Sequence, residues 1–192
     1  MAIPHFSILT ICGIEELPQY QPRKVTHVLS IVDPGLPELE AFRSYDTHHR
    51  TIMQFHDIID PMPGQIMPQI ADVEKILDLG TGYAGSGLQV DESHLLVHCH
   101  MGISRSTAAM LSLMAQASPE ASEDLLFERL RAIRPRAWPN SVMIGYADRL
   151  LGRGGRLSAA LARHYGHQKR EQAELAGWMA ELGRMREVAM GV

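Results

Sequence analysis

Residues 98–106 read His98-Cys99-His100-Met101-Gly102-Ile103-Ser104-Arg105-Ser106 and join two different textures of chain. Before them, His94–His98 is a short apolar run of strand type. After them, Arg105 to Ala117 carries Ala108, Ala109, Met110, Leu111, Leu113 and Met114, apolar on most sides, as in a buried helix. A five-residue link between a strand end and a helix start can curl so that successive backbone N–H groups point inward. At the positive end of a helix, such a nest holds a tetrahedral dianion. In open α/β sheets, ligands bind beyond the carboxyl ends of the strands, where this link would lie.

The side chains suit that geometry. Gly102 permits a backbone conformation that a side chain would oppose. Arg105 can close the ring with two parallel hydrogen bonds to phosphate oxygens. The same field favours a thiolate at Cys99, at the centre of the cradle. A thiolate facing a phosphoryl group is a nucleophile aimed at phosphorus. Ser106 can donate to the sulfur and help it leave in a second step. His100, Met101, Gly102, Ile103 and Ser104 are expected to bind substrate through their backbone amides. Chance places a Cys and an Arg six apart in about 0.16 of such chains. Adding the flanking His, Gly and Ser lowers this to on the order of 10⁻⁴.

Working outward, Ile8–Cys12, His27–Val32, Thr51–Phe55 and His94–His98 read as short buried strands bounded by turn residues. Leu39 and Phe42 mark a short helix after the Pro34-Gly35 turn. A stronger helix is predicted from Pro68 to Leu79, ended by Gly80, with a Gly-rich loop over 80–93. Ser118-Pro119-Glu120 is a helix start signal, and Pro135 stops that helix near Arg134. Asn140 can cap a helix to Leu151, and two more helices are expected from Arg156 onward. Strands alternating with helices, then helices alone, predict an α/β fold. Its parallel-type central sheet of about four to five strands is flanked by helices on both faces, with a helical C-terminal half.

Composition narrows the function classes. The 192 residues are 45% hydrophobic and 21% charged, an ordinary globular balance. No apolar run approaches the roughly 18 residues that cross a bilayer, so no membrane role is expected. The acidic start of the chain, with Glu15-Glu16, does not read as a signal peptide, and a cytoplasmic location is expected. Net charge −4 argues against a general nucleic-acid binder. Residues 149–192 alone carry a net +4, read as a solvated basic helix. Cys12 and Cys99 make no disulfide framework, Cys12 reads as a small buried hydrophobe, and no Cys/His spacing predicts a metal site.

The signature H-C-x5-R-[S/T], matched from His98 to Ser106, resembles that of the cysteine-dependent protein tyrosine phosphatases. HVLSIVD (27–33) and RPRAWPNSVMIGYADRLL (134–151), with Pro139-Asn140 starting a helix, resemble the small dual-specificity-like branch, taken as a bacterial type. The resemblance covers residues 5–151. It implies a phosphatase domain over 1–152, leaving 153–192 as a helical extension packed on it or on a partner. It implies a hydrolase using a cysteinyl-phosphate, with Cys99 as nucleophile, Arg105 on the transition state and no cofactor. The substrate would be phosphorylated protein or a small phosphomonoester, and phosphate or sulfate would bind the loop. The family also needs an acid for the leaving group, from a mobile loop after an earlier strand. Asp57, directly after Thr51–His56, is favoured over Asp60 because the strand end lies nearer the cradle. Arg134 and Arg136 are weighed as contacts to substrate phosphate or a flanking carboxylate, against surface solvation as the commoner reading of such a cluster. Competing readings are an inositol or lipid phosphate phosphatase, a non-catalytic phosphate-binding module and a rhodanese-like sulfur transferase. The loop's lack of lysine and the Arg105-Ser106 helix start weigh against them.

Overall fold

The computed structural model describes residues 6–84 and 93–192. Its sheet is parallel throughout, from β1 (Ile8–Cys12), β2 (His27–Val32), β3 (His49–Gln54) and β4 (His94–His98), in the order β1-β4-β2-β3. The third strand starts two residues before its predicted Thr51, because the His49 N–H reaches Thr26 O at 2.9 Å and extends the ladder. Strand β4 lies inside the sheet and all five of its residues are buried. A strand covered on both faces loses the polar alternation of a half-exposed one. Its two histidines find partners instead: His94 with Thr10 Oγ1 at 2.8 Å, and His98 with Ser30 Oγ at 2.7 Å.

The two faces are covered by helical elements of different kinds. On one, Leu29, Ile31, Leu95 and Val97 meet the α-helices in the main core. On the other, Cys12, Val28 and Leu96 meet two 3₁₀ segments, Ile14–Tyr20 and Glu40–Ser44, through Leu17 and Phe42. The second segment is the short helix predicted around Leu39 and Phe42.

Helix α1 (Ile70–Ala84) runs through Gly80, which was expected to end it. Gly80 serves packing: a Cβ there would lie 2.1 Å from Gln116 Oε1 and 2.9 Å from Leu113, both on α2 (Arg105–Ala117). Residues 81–84 of the predicted Gly-rich loop are thus helical, and 85–92 lie outside the described residues. Helix α3 (Glu123–Ile133) begins later than Ser118-Pro119-Glu120 predicted. Ser122 is its cap, while Ser118 O closes a turn with Ala121 N at 3.1 Å. Helix α4 (Ser141–Leu150) starts as read, with Asn140 Oδ1 accepting from Val142 N and Met143 N at 3.1 and 3.2 Å.

The tail forms three helices rather than two: α5 (Arg156–Glu171), α6 (Ala173–Met179) and α7 (Met185–Met190). The break before α7 falls in Ala180–Arg184, where Gly183 takes φ 78°. The tail supplies hydrogen bonds that the body lacks. Buried Arg153 donates to Ala115 O at 2.7 Å and Ser118 O at 3.0 Å, satisfying carbonyls at the end of α2. It also pairs with Glu123 at 3.2 Å. From α5, His164 and Gln168 reach Ala137 O at 2.9 and 2.8 Å, and Tyr165 OH donates to Pro139 O. The irregular stretch before α4 is held by these bonds, because its own backbone forms no ladder.

Arg153→Met strands the Ala115 and Ser118 carbonyls and leaves Glu123 paired with Arg156 alone. Loss of those donors is expected to lower stability by about 2–4 kcal/mol in urea unfolding. A loss below about 1 kcal/mol, the range of an ordinary surface ion pair, contradicts this account of the tail.

Candidate active site

The loop from Cys99 to Arg105 turns its carbonyls outward. His100 O accepts from Ile14 N at 2.9 Å, and Ile103 O from Trp138 N at 2.8 Å. Ser104 O accepts from Ala108 N at 3.0 Å. Arg134 takes the other two, donating Nε to Gly102 O and Nη2 to Met101 O, each at 2.9 Å. The N–H groups of His100 to Arg105 donate to no described residue. Carbonyls engaged outside and amides left open inside make an anion nest.

Tight backbone contact sets this curl. Gly102 takes φ 67°, and a Cβ on it would lie 2.4 Å from the Cys12 carbonyl carbon. A Cβ on Gly13 would meet His100 O at 2.9 Å. Arg134 braces the loop from behind through a two-point pair with Glu16 at 2.8 and 2.7 Å. It is therefore a brace for the loop and not a substrate contact. Arg136 is exposed and does not line the cavity.

Cys99 Sγ lies 3.2 Å from Ser106 Oγ, and both are buried. Arg105, 2% exposed, donates Nη1 to Asp33 Oδ1 and Phe55 O, each at 2.6 Å. Its Nε is buried without a partner among the described residues. The guanidinium is thus held firmly through Nη1, with only a long 3.5 Å contact from Nη2 to His100 Nδ1, and keeps donor capacity to spare. His98 stays neutral: burial, and then Arg50, push its pKa down to about 4. It ties β4 to β2 through Ser30 and is not an acid or base here. Cys12 packs in the 3₁₀-side cluster while Cys99 packs in the main core. Burial, with Glu16 beside it, pushes the Cys12 thiol up and makes it inert.

A cavity of about 320 Å³ brings together Cys99, His100, Met101, Ile103, Ser104, Arg105 and Asp57. Ser106 and Gly102 do not line it. Ser106 meets the site only through its contact with the sulfur, and Gly102 lies against the end of β1. Asp60 lies outside this cavity, exposed and 3.2 Å from Arg186. Asp57 Oδ1 accepts from Ser104 Oγ at 2.7 Å, Arg184 Nη1 at 2.8 Å and Asn140 Nδ2 at 3.0 Å. Burial raises the Asp57 pKa, but Arg184 and then Arg105 outweigh it and hold the carboxyl below its ordinary value. Among the described residues, no group of His, Cys, Asp or Glu is gathered as metal ligands would be.

The sequence reading missed Asp33, Asn140 as a donor to Asp57, and the tail residues Trp178, Met179, Leu182 and Arg184 on the cavity. Asp33 closes HVLSIVD, so its place at a strand end was available as a signal. The tail residues belong to a segment whose approach is set by long-range packing.

The comparisons agree with this geometry. Human DUSP28 superposes with a TM-score of 0.54 at 18% identity, covering 76% of this chain and 94% of that one. The Yvh1 phosphatase domain from Chaetomium thermophilum gives a TM-score of 0.50 at 23% identity, over 78% and 93%. The chain has the fold of the dual-specificity phosphatases. The human protein phosphatase Slingshot homolog 3 is 25% identical over 168 residues, 86% of this chain. The chain spans only 22% of the length of that relative. No family model matches the chain.

In this phosphatase fold, three depressed carboxylates, Asp57, Glu16 and Glu123, set an acid limit. Glu16 is raised by burial, but the Arg134 hydrogen bonds outweigh that and leave it low. A carboxylate with a depressed folded pKa stabilises above its unfolded value of about 4, and that contribution is lost as pH falls through the folded pKa. Thermal unfolding temperature is expected to drop below pH about 4. The Glu16→Gln, Asp57→Asn double variant should show a shallower drop. Identical slopes would contradict both assignments.

Proposed function

We propose that this protein hydrolyses phosphomonoesters through a cysteinyl-phosphate, with protein phosphotyrosine as its substrate. The observation that carries this reading is the loop in which every carbonyl from His100 to Ser104 is bonded outward and every amide is left open around Cys99. The substrate phosphate sits in that nest, with Arg105 on its equatorial oxygens. The Cys99 thiolate forms the S–P bond as the P–O bond to the leaving group breaks, and Asp57 gives that oxygen a proton. Ser106 then donates to the departing sulfur. Water attacks phosphorus, Asp57 takes its proton, the S–P bond breaks and inorganic phosphate leaves. No metal or cofactor enters these steps.

The walls favour an aromatic ester. Trp178 is half-buried on the cavity beside Met179, and exposed Met101 and Leu182 add apolar surface. An inositol polyphosphate would want unpaired cations. Here Arg105 faces Asp33 and Arg184 faces Asp57, which balances the lining charge.

Cys99→Ser is expected to abolish turnover while inorganic phosphate or vanadate still binds, and chelator should leave the wild type active. Appreciable turnover by Cys99→Ser sinks the mechanism. A panel of phosphotyrosine, phosphoserine and phosphoinositide substrates decides the class; preference for the phosphoinositide would reverse the substrate assignment.

Asp57→Asn should slow the first step with phosphotyrosine by roughly 10²–10⁴-fold, less so as the leaving-group pKa falls. Asp60→Asn should do much less. Single-turnover kinetics on aryl phosphates measure this, and the opposite ranking would move the acid to Asp60.

A further inference from the structure

One tail side chain reaches the reacting groups, and the steps above leave it without a task. Arg184 is 4% exposed. Its Nη1 donates to Asp57 Oδ1 at 2.8 Å and to Asp57 O at 3.0 Å. Its Nη2 donates to Ser104 Oγ at 3.0 Å, inside the phosphate loop. Its Nε and Nη2 reach Glu187 at 2.9 and 3.1 Å. One planar group therefore joins the acid loop, the phosphate loop and α7.

Glu187 fixes Arg184 in turn. Fully buried, it also accepts from Trp138 Nε1 at 2.9 Å and Ser141 N at 2.7 Å, so it cannot swing away. At Asp57, three donors converge on Oδ1, and no described residue donates to Oδ2. A proton on Oδ1 would have to displace one of those donors. A proton on Oδ2 displaces nothing.

We propose that Arg184 is the positioning residue for the acid: it pins Asp57 by Oδ1, so that Oδ2 is the oxygen that gives and takes the proton. This rests on the hydrolase reading above. In the first step the proton on Oδ2 passes to the bridging oxygen as the P–O bond breaks. In the second, Oδ2 takes a proton from the attacking water. Though Arg184 borders the cavity, its Nε, Nη1 and Nη2 are all engaged by Glu187, Asp57 and Ser104, so it acts through Asp57 and not on the phosphate. Lysine would not replace it, since a single ammonium lacks the planar fork that spans Asp57, Ser104 and Glu187.

The arrangement has a pH signature. The charged and titratable groups around Asp57 are Arg184 from the tail, Arg105 from α2 with Asp33 and His100 beside it, Glu187 from α7 behind Arg184, and Cys99 across the cavity. Tyr165 from α5 stays un-ionised, because burial and Glu187 push its pKa up. On the acid loop itself, His56 accepts from Ile66 N, and Asp60 is held outward by Arg186. Arg184 favours the ionised Asp57, so protonated acid is available only at low pH. Removing that charge should move the basic limb of kcat/KM to higher pH.

The test compares wild type with Arg184→Lys and with the Arg184→Met, Glu187→Gln double variant, which removes the buried Glu187 charge together with its partner and leaves Asp57, on the cavity wall, with Ser104 and Asn140. Aryl phosphates of graded leaving-group pKa are followed in single turnovers across pH, with thermal melts to confirm folding. In the double variant, the first step is expected to slow by about 10–100-fold for poor leaving groups, with KM little changed. The defect should fade for good leaving groups, and the basic limb should move up. Arg184→Lys keeps the charge, so its limb should stay near the wild-type position while poor leaving groups still suffer. If the double variant does not fold, Arg184→Lys decides alone. An equal loss for all leaving groups with an unmoved limb, or no loss at all, overturns the proposal and leaves Arg184 a structural tie. A wild type that turns over no aryl phosphate overturns the hydrolase reading, and this proposal falls with it.

Discussion

The rest of the molecule depends on a contact between two stretches of backbone. Gly102 lies so close to Cys12 and Gly13 that one methyl group would collide with a carbonyl 2.4 Å away. The close approach curls the link from β4 to α2 and sends its carbonyls out to Ile14, Arg134 and Trp138. Six amides and one guanidinium are left to face Cys99. The sheet order serves that curl, since β4 must lie beside β1 for the loop to rest on the end of β1. Arg134 and Glu16 hold the same contact from outside, as a charge-assisted pair with two parallel hydrogen bonds.

A second constraint ties the tail to the chemistry. The stretch before α4 has no ladder of its own, and α5 bonds its carbonyls. Trp138 in that stretch stacks on Tyr165 with ring centroids 4.6 Å apart and donates to Glu187. Glu187 then holds Arg184 against Asp57. The buried charges along this path are each matched, as a low-dielectric interior requires. Packing of the tail and placement of the acid loop are thereby one problem in this fold. The basic balance of the tail, read from composition as solvation, is partly spent inside: Arg153 and Arg184 are each only 4% exposed.

What was legible in the sequence follows the range of the forces involved. The four strands and the nest were readable because their signals are local: short apolar runs, a glycine, and a Cys and an Arg at fixed spacing. Asn140 was readable as a cap for the same reason, but its second bond, to Asp57, spans 83 residues of chain. Gly80 and Ser118 misled because their local signals were overridden. Gly80 is a packing contact under α2, and the Ser118 carbonyl is taken by Arg153. On sequence alone Arg134 stays open between solvent, substrate phosphate and a carboxylate, because a basic cluster in an acidic chain does not say which way each side chain turns; its partner is Glu16. The tail helices on the cavity carried no motif. Their place is set by Trp138, Tyr165 and Glu187 meeting across distant parts of the chain.

The central claim is that the open amides and Arg105 surround a sulfur that takes the phosphoryl group. Quenching the protein in acid within the first turnover of an aryl phosphate, then mapping the phosphorylated peptide by mass spectrometry, tests that claim directly. The account predicts one phosphoryl group on Cys99, gained in the first step and lost on longer incubation. A phosphoryl group on any other residue, or full turnover with Cys99 never labelled, would contradict it.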